Sequence, residues 1–205
     1  MRIQIDSASF WKWRMPMKNK AHDLSGWSFS TEDRILPDAN FWILVFGPAA
    51  SVANPELRVR NYSGALRTML RQQVSMFIDV TIMSEFLNSL ARLEFNSNFL
   101  GRGYGATDFK RFRNSTDFLP TARMIEGQFG KILRISQCLD HPFSDWDLPA
   151  LLSAFGKGGE DFNDQLIVEV TKRYDLKLLT DDGDMTNGGV ELITANRKLL
   201  RECPV

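Results

Sequence analysis

The sequence contains little cysteine and little histidine. Among its 205 residues, the only cysteines are Cys138 and Cys203, and the only histidines are His22 and His141. Two cysteines cannot form a disulfide framework, and no Cys and His set has the spacing of zinc ligands. A Gly-X-Ser-X-Gly nucleophile motif is also missing, which removes support for covalent serine chemistry. We therefore expect a protein of the reducing cytoplasm.

Long apolar runs and an excess of either charge are missing too. The longest strongly apolar run covers 41–46, whereas a bilayer span needs roughly 20 residues. Lysine and arginine interrupt the aromatic residues near the N-terminus, unlike the apolar core of a signal peptide. Basic and acidic residues number 25 each, so the formal net charge is zero. We expect no membrane partner, and a polyanion must be bound by a local patch.

Apolar residues are plentiful enough for a large core. Hydrophobic residues make up 43% of the chain, and short apolar strands are predicted at 34–36, 74–80, 176–180 and 190–194. Amphipathic helices are predicted between them. Strands that alternate with helices pair in parallel through right-handed crossovers. The predicted fold is α/β, a three-layer sandwich in which helices flank a central, mostly parallel sheet.

Four acidic residues stand at positions that suit a shared site. Asp38 and Asp182 follow predicted strands, Glu85 lies near the start of a helix, and Asp164 lies in the first turn of another. Ligands bind such sheets at the C-terminal ends of the strands, where these residues could meet. Carboxylates that converge repel one another unless a cation neutralises them, and oxygen ligands suit Mg²⁺ or Mn²⁺. Such a cation coordinates phosphate oxygens, which makes a phosphodiester a suitable substrate.

Each of these acids also has a structural interpretation. Asp182 belongs to an Asp-Asp-Gly-Asp turn, Asp38 and Asp164 are good helix caps, and Glu85 could be a solvated helix residue. A phosphatase that forms an aspartyl-phosphate needs an Asp-X-Asp pair. Asn40 replaces the second acid of that pair, which disfavours this route.

Four segments together resemble a known family. Ile-Leu-Pro-Asp-Ala-Asn at 35–40, Met-Ser-Glu-Phe-Leu-Asn at 83–88, Phe-Asn-Asp-Gln-Leu-Ile at 162–167 and Leu-Leu-Thr-Asp-Asp-Gly-Asp-Met at 178–185 look like the four signatures of the PIN-domain nucleases. They occur in the family's order and cover about 34–200. The chain is most similar to the VapC-type toxin ribonucleases of toxin–antitoxin pairs. Residues 1–33 then form an N-terminal extension, and 34–205 a PIN-like domain with a helical insertion at about 96–155.

The resemblance implies an endoribonuclease that depends on Mg²⁺ or Mn²⁺. Its implied catalytic and metal-binding residues are Asp38, Glu85, Asp164 and Asp182, with Asp184 as a further metal ligand and Asn40 and Thr180 in support. The implied partners are an RNA substrate, an antitoxin protein and a second copy in a homodimer. Side chains alternate along an extended segment, so we expect Asp181 to point away from Asp182. The alternative is a PIN-fold module that binds RNA or protein without cutting.

A basic stretch after Gly101 is a candidate RNA-binding surface. Its basic side chains Arg102, Lys110, Arg111 and Arg113 alternate with Tyr104, Phe109 and Phe112. Basic and aromatic groups together suit single-stranded RNA through phosphate contacts and base stacking. The alternative is a solvated helix with its aromatic residues buried.

Overall fold

The computed structural model describes residues 17–47, 55–141, 143–158 and 161–205. Its strands are β1 (Lys20–Asp23), β2 (Arg34–Pro37), β3 (Ser75–Ile78), β4 (Gln137–Cys138), β5 (Lys177–Leu179) and β6 (Glu191–Thr194). Its α-helices are α1 (Ala39–Phe46), α2 (Pro55–Arg71), α3 (Val80–Glu94), α4 (Phe109–Arg113), α5 (Phe118–Ile135), α6 (Leu148–Gly156), α7 (Phe162–Arg173) and α8 (Arg197–Glu202).

The strands form one sheet of six in the order β1-β6-β5-β2-β3-β4. Every neighbouring pair is parallel. Buried strand residues such as Ile35, Leu36, Leu178 and Leu192 lie in a core that also contains helix residues. The α/β three-layer sandwich predicted from the sequence is confirmed.

The predicted N-terminal extension, 1–33, contains a strand that no sequence pattern indicates. Residues 1–16 lie outside the described part of the chain, but Lys20–Asp23 forms the edge strand β1. Strand β1 pairs in parallel with β6, in a register that aligns Ala21 with Leu192. The short sequence Lys-Ala-His-Asp has no alternating apolar pattern, and it becomes a strand because β6 offers a free edge. Residues 20–23 are therefore part of the sheet.

Helix α1 shows how a polar strand end starts the next element. Pro37 ends β2, and the Asp38 side chain accepts a hydrogen bond from the backbone N–H of Phe41 as the N-cap of α1. The aromatic run 41–46 is therefore helical, and it buries Phe41 and Trp42 completely. A cap of this kind places the acid at the strand end and at the helix N-terminus together.

The insertion carries a cluster of aromatic residues. Helix α3 continues into a π-helical turn, Phe95–Phe99, and α4 then precedes the long helix α5. Phe112 is completely buried, with its ring centroid 4.4 Å from that of Phe99 and 5.3 Å from that of Phe95. In the described part of the chain, no helix is both long and apolar enough to span a membrane.

Candidate active site

Three strands deliver polar residues to one edge of the sheet. Strand β2 lies between β3 and β5, and Asp38, Asp79 and Thr180 directly follow these three strands. The backbone N–H of Asp38 donates to the carbonyl of Leu179 at 3.0 Å, which fixes the end of β2 against the end of β5. This is the strand edge at which α/β sheets bind ligands.

Asp38 is buried at the centre of this edge. Its Oδ1 accepts from the backbone N–H of Phe41 at 2.7 Å, and its Oδ2 accepts from the Thr180 hydroxyl. Burial raises the pKa of Asp38 to about 8, and repulsion from Glu85 and Asp182 adds to this effect, against the lowering effect of the two hydrogen bonds. Without a counter-charge this carboxyl is protonated at neutral pH.

Asp182 is held by the same Thr180 and by Asn40. The backbone N–H of Asp182 donates to the Thr180 Oγ at 2.9 Å, and the Asn40 Nδ2 donates to Asp182 Oδ2 at 3.0 Å. Its Oδ1 accepts from the backbone N–H of Asp184 at 2.9 Å. One hydroxyl thus joins Asp38 to the Asp182 backbone, and the supporting positions predicted for Thr180 and Asn40 have specific contacts.

Glu85 and Asp164 approach from helices α3 and α7. Burial raises the pKa of Glu85 first, followed by repulsion from Asp182 and Asp161. Burial likewise raises the pKa of Asp164 to about 7, with repulsion from Asp182 next. Asp38, Glu85 and Asp164 are therefore each within electrostatic reach of Asp182.

Asp161 adds a charge to the same cluster. It is the N-cap of α7, with its Oδ1 accepting from the Asn163 backbone N–H at 2.8 Å, and it repels both Glu85 and Asp164. An acid before a helix indicates, from the sequence, only a favourable helix start. Asp161 lies near Glu85 because of the way α7 packs on α3, which no local sequence pattern predicts.

Asp184 has a different environment. It is exposed, and its Oδ1 pairs with the Lys198 Nζ at 2.9 Å. Asp184 and Asp164 both line a small cavity of about 140 Å³. Its role as a further metal ligand stays a prediction, and a cation there would compete with Lys198.

Asp181 points into the protein, as the alternation of side chains predicts. Its Oδ1 accepts from the Tyr62 hydroxyl at 2.8 Å, and its Oδ2 pairs with Arg58. The Tyr62 hydroxyl also accepts from the Ala195 backbone N–H at 2.9 Å, and burial raises the pKa of Tyr62 to about 12. Asn196 Nδ2 donates to the Asp181 carbonyl at 2.7 Å. Asp181 therefore fixes the end of β5 to helix α2 through Tyr62 and Arg58.

No sequence pattern identifies Arg58 and Tyr62 as part of this site. Both lie on α2, and the acid that they contact, Asp181, is more than a hundred positions away in the sequence. Arg58 also lines a cleft of about 530 Å³ beside Asp182, together with Asn40, Ser89, Arg92, Asn96 and Asn196 among others. This cleft opens directly from the carboxylate edge.

The basic stretch has mostly structural contacts. The Arg111 guanidinium donates to the Gly103 carbonyl and to Asp108, each at 2.8 Å, and lies 4.4 Å from the Tyr104 ring centroid. Arg113 lies over Phe109 at 5.9 Å. Together with the burial of Phe112 in the aromatic cluster, these contacts support the alternative of packed aromatic residues. Arg102 and Lys110 are exposed, so their contact with RNA stays a prediction.

The oxygen atoms at this edge suit a hard cation, although the side chains are not arranged as a complete set of metal ligands. Carboxylate, amide and hydroxyl oxygens meet here, and these are ligands for Mg²⁺ or Mn²⁺. Burial, followed by repulsion between the carboxylates, raises the pKa values of Asp38, Glu85 and Asp164, so their ionised forms are costly unless a cation offsets the charge. Within the described ranges, no three His, Cys, Asp or Glu side chains stand in an arrangement that would hold a metal ion.

Comparisons with known proteins do not identify a family for this chain. The chain matches no family model and no curated protein. Among solved structures it is similar to PAE2754 from Pyrobaculum aerophilum, with 16% identity and a TM-score of 0.42, over 82% of this chain and 96% of that one. A likeness at this level carries no inference about the site.

Proposed function

We propose that the chain is a Mg²⁺- or Mn²⁺-dependent endoribonuclease. The observation that carries the proposal is the arrangement around Thr180, whose hydroxyl donates to Asp38 and accepts from the Asp182 backbone. Two acids from different strands are fixed at one edge by this contact, and Glu85 and Asp164 approach the same edge from two helices. A set of acids brought together in this way is costly without a cation, which supports metal binding.

The four acids Asp38, Glu85, Asp164 and Asp182 would hold the cation. When bound, such an ion supplies an activated water and stabilises charge that develops on a phosphate. The chain's own residues orient the site, since the Asn40 amide fixes the Asp182 carboxylate and the α1 N-terminus fixes Asp38.

Single-stranded RNA is the substrate in this proposal, and the cytoplasm its location. Both cysteines are free, which agrees with a reducing compartment. The antitoxin and the homodimer implied by the family resemblance stay predictions.

Cleavage of a labelled single-stranded RNA in Mn²⁺ tests the proposal. We expect Asp182→Asn and Asp38→Asn each to slow cleavage by about 10²–10³-fold, because preorganised electrostatic groups typically contribute this much. Asp140→Asn is the matched control, because Asp140 is exposed and its side chain is outside the cluster. Wild-type protein that binds RNA and never cuts it in Mg²⁺ or Mn²⁺ would instead support the non-catalytic module.

Metal binding is measured separately by calorimetric titration with Mn²⁺. The wild type should bind weakly, and Asp38→Asn should reduce the heat strongly while Asp140→Asn leaves it unchanged. Equal heats for the wild type and Asp38→Asn would remove the metal site from the proposal.

A further inference from the structure

One face of helix α3, with the π-helical turn that continues it, leads from the carboxylates into the neighbouring cleft. Glu85, Ser89 and Arg92 lie on one face of α3 at steps of four and three, and Asn96 follows four positions later in the π-helical turn. Glu85 lies within reach of the Asp182 charge, and the other three line the cleft of about 530 Å³. Seven residues separate Glu85 from Arg92, or roughly 10 Å of helix axis. A single phosphate cannot contact both ends of this face.

The charges of the cleft differ between its two ends. The buried Asp181 is paired with Arg58, whose side chain is still 34% exposed toward the cleft. Arg92 is exposed, lies over the Phe109 ring at 4.4 Å, and has no ion-pair partner within the part of the chain that the structure describes. The Asp182 end is therefore acidic, and the Arg92 end offers an uncompensated guanidinium. An anionic group of the ligand suits this end.

The rest of the cleft wall suits a nucleoside. Ile43, Leu44 and Leu93 supply an apolar surface against which a flat ring can lie, and Ser89 and Asn96 supply neutral donors and acceptors. The Asn40 and Asn196 amides also line the cleft, but they already donate to Asp182 and Asp181. Apolar walls with a few polar groups are typical of small-ligand sites, and about 530 Å³ lies in their usual range of roughly 300–1,000 Å³. An acidic peptide would leave the apolar wall and the amides largely unused.

We propose that this cleft binds the nucleotide next to the cleaved phosphodiester of a single-stranded RNA. Arg92 contacts the phosphate of that nucleotide, and the apolar wall contacts the base. The proposal rests on the nuclease function proposed above, and it assigns RNA positioning to α3 rather than to Arg111 in the insertion. Arg92 acts on substrate binding, separately from the metal-holding acids.

Fluorescence anisotropy with a labelled 12-nucleotide single-stranded RNA tests the subsite in buffer with EDTA, where cleavage does not interfere. Arg92→Gln should weaken binding about tenfold, as expected for loss of a hydrogen bond to a charged group. It should also reduce the slope of log affinity against log salt by about one. Arg92→Lys should keep the slope, and Arg60→Gln, at an exposed α2 residue outside the cleft, should change neither quantity.

The outcomes separate this proposal from the nuclease proposal. RNA binding that depends on Arg92, in a protein that never cuts RNA, supports the subsite and overturns the nuclease. A protein that cuts RNA while Arg92→Gln matches Arg60→Gln in affinity and salt slope overturns the subsite alone. Displacement of the RNA by polyglutamate at equal charge concentration would assign the cleft to an acidic protein partner and overturn the proposal. Thermal unfolding of Arg92→Gln checks that loss of the Phe109 contact leaves the fold intact.

Discussion

Helix α3 separates two surface depressions of similar size and different chemistry. On one face, Ser89 and Arg92 line the cleft of about 530 Å³ beside Asp182. On the other, Met83 and Leu87 line a groove of about 550 Å³ against α5. The groove contains mainly apolar side chains, whereas the cleft combines an apolar wall with charges and amides near the strand ends. One amphipathic helix can therefore pack against the fold with one face and present polar groups with another.

The largest expected effect on stability is that of replacing Phe129, which lines the groove between α3 and α5. Phe129 is buried, with its ring centroid 6.0 Å from that of Phe86 on α3. Phe129→Ala should lower the free energy of unfolding by about 3–5 kcal/mol because it opens a cavity between α3 and α5. Urea unfolding measures this. The cleavage rate per folded molecule of Phe129→Ala should stay near that of the wild type. A fall as large as that of Asp182→Asn would show that the groove face of α3 also contributes to cleavage.

Asp181 should affect stability more than cleavage. Asp181→Asn weakens the pair with Arg58 and the bond from Tyr62, so we expect unfolding to become easier by about 1–3 kcal/mol. Tyr62→Phe is a second variant in the same network and should destabilise in the same direction. Cleavage by the folded Asp181→Asn protein should fall far less than that of Asp182→Asn. If Asp181→Asn has wild-type stability and loses as much cleavage activity as Asp182→Asn, Asp181 belongs to the cleavage site and its structural role is wrong.

The carboxylate edge should make metal-free stability depend on pH. The pKa of Asp38 rises from 3.8 to about 8 on folding, so between these values the folded state holds a proton that the unfolded state has lost. Stability is therefore fully retained below about pH 4 and falls as pH rises toward 8, by up to about 1.4 kcal/mol per pH unit for this group. Asp38→Asn should flatten this fall, measured by urea unfolding in EDTA. Equal pH slopes for the variant and the wild type would contradict the assignment.

The smallest effect is expected at the rim of the groove. Leu133 is 45% exposed, and Leu133→Ser should change the free energy of unfolding by no more than about 0.5 kcal/mol. Its cleavage rate and its RNA affinity should equal those of the wild type. A loss of several-fold in either quantity would show that the groove takes part in substrate binding and would weaken the contrast with the cleft.

Local patterns explain which parts of the fold could be predicted. The apolar runs that became β2, β3, β5 and β6 are short, and β2, β3 and β5 are each followed directly by a polar residue. Helix α3 was predictable because its apolar residues Ile82, Phe86 and Leu90 recur with the helical period. Strand β1 was missed because Lys-Ala-His-Asp carries no period, and its conformation depends on pairing with β6.

Spacing within a few residues was enough to predict strands β2, β3, β5 and β6 in their order, and to place acids after β2 and β5. The tertiary structure alone decided which acid points where. Asp181 turns inward because Arg58 and Tyr62 of α2 meet it, whereas Asp182 turns outward to Asn40. Likewise, Arg111 is engaged by its own loop and Arg92 faces a cleft. These outcomes depend on contacts between distant segments, whose energies appear only when the chain is folded.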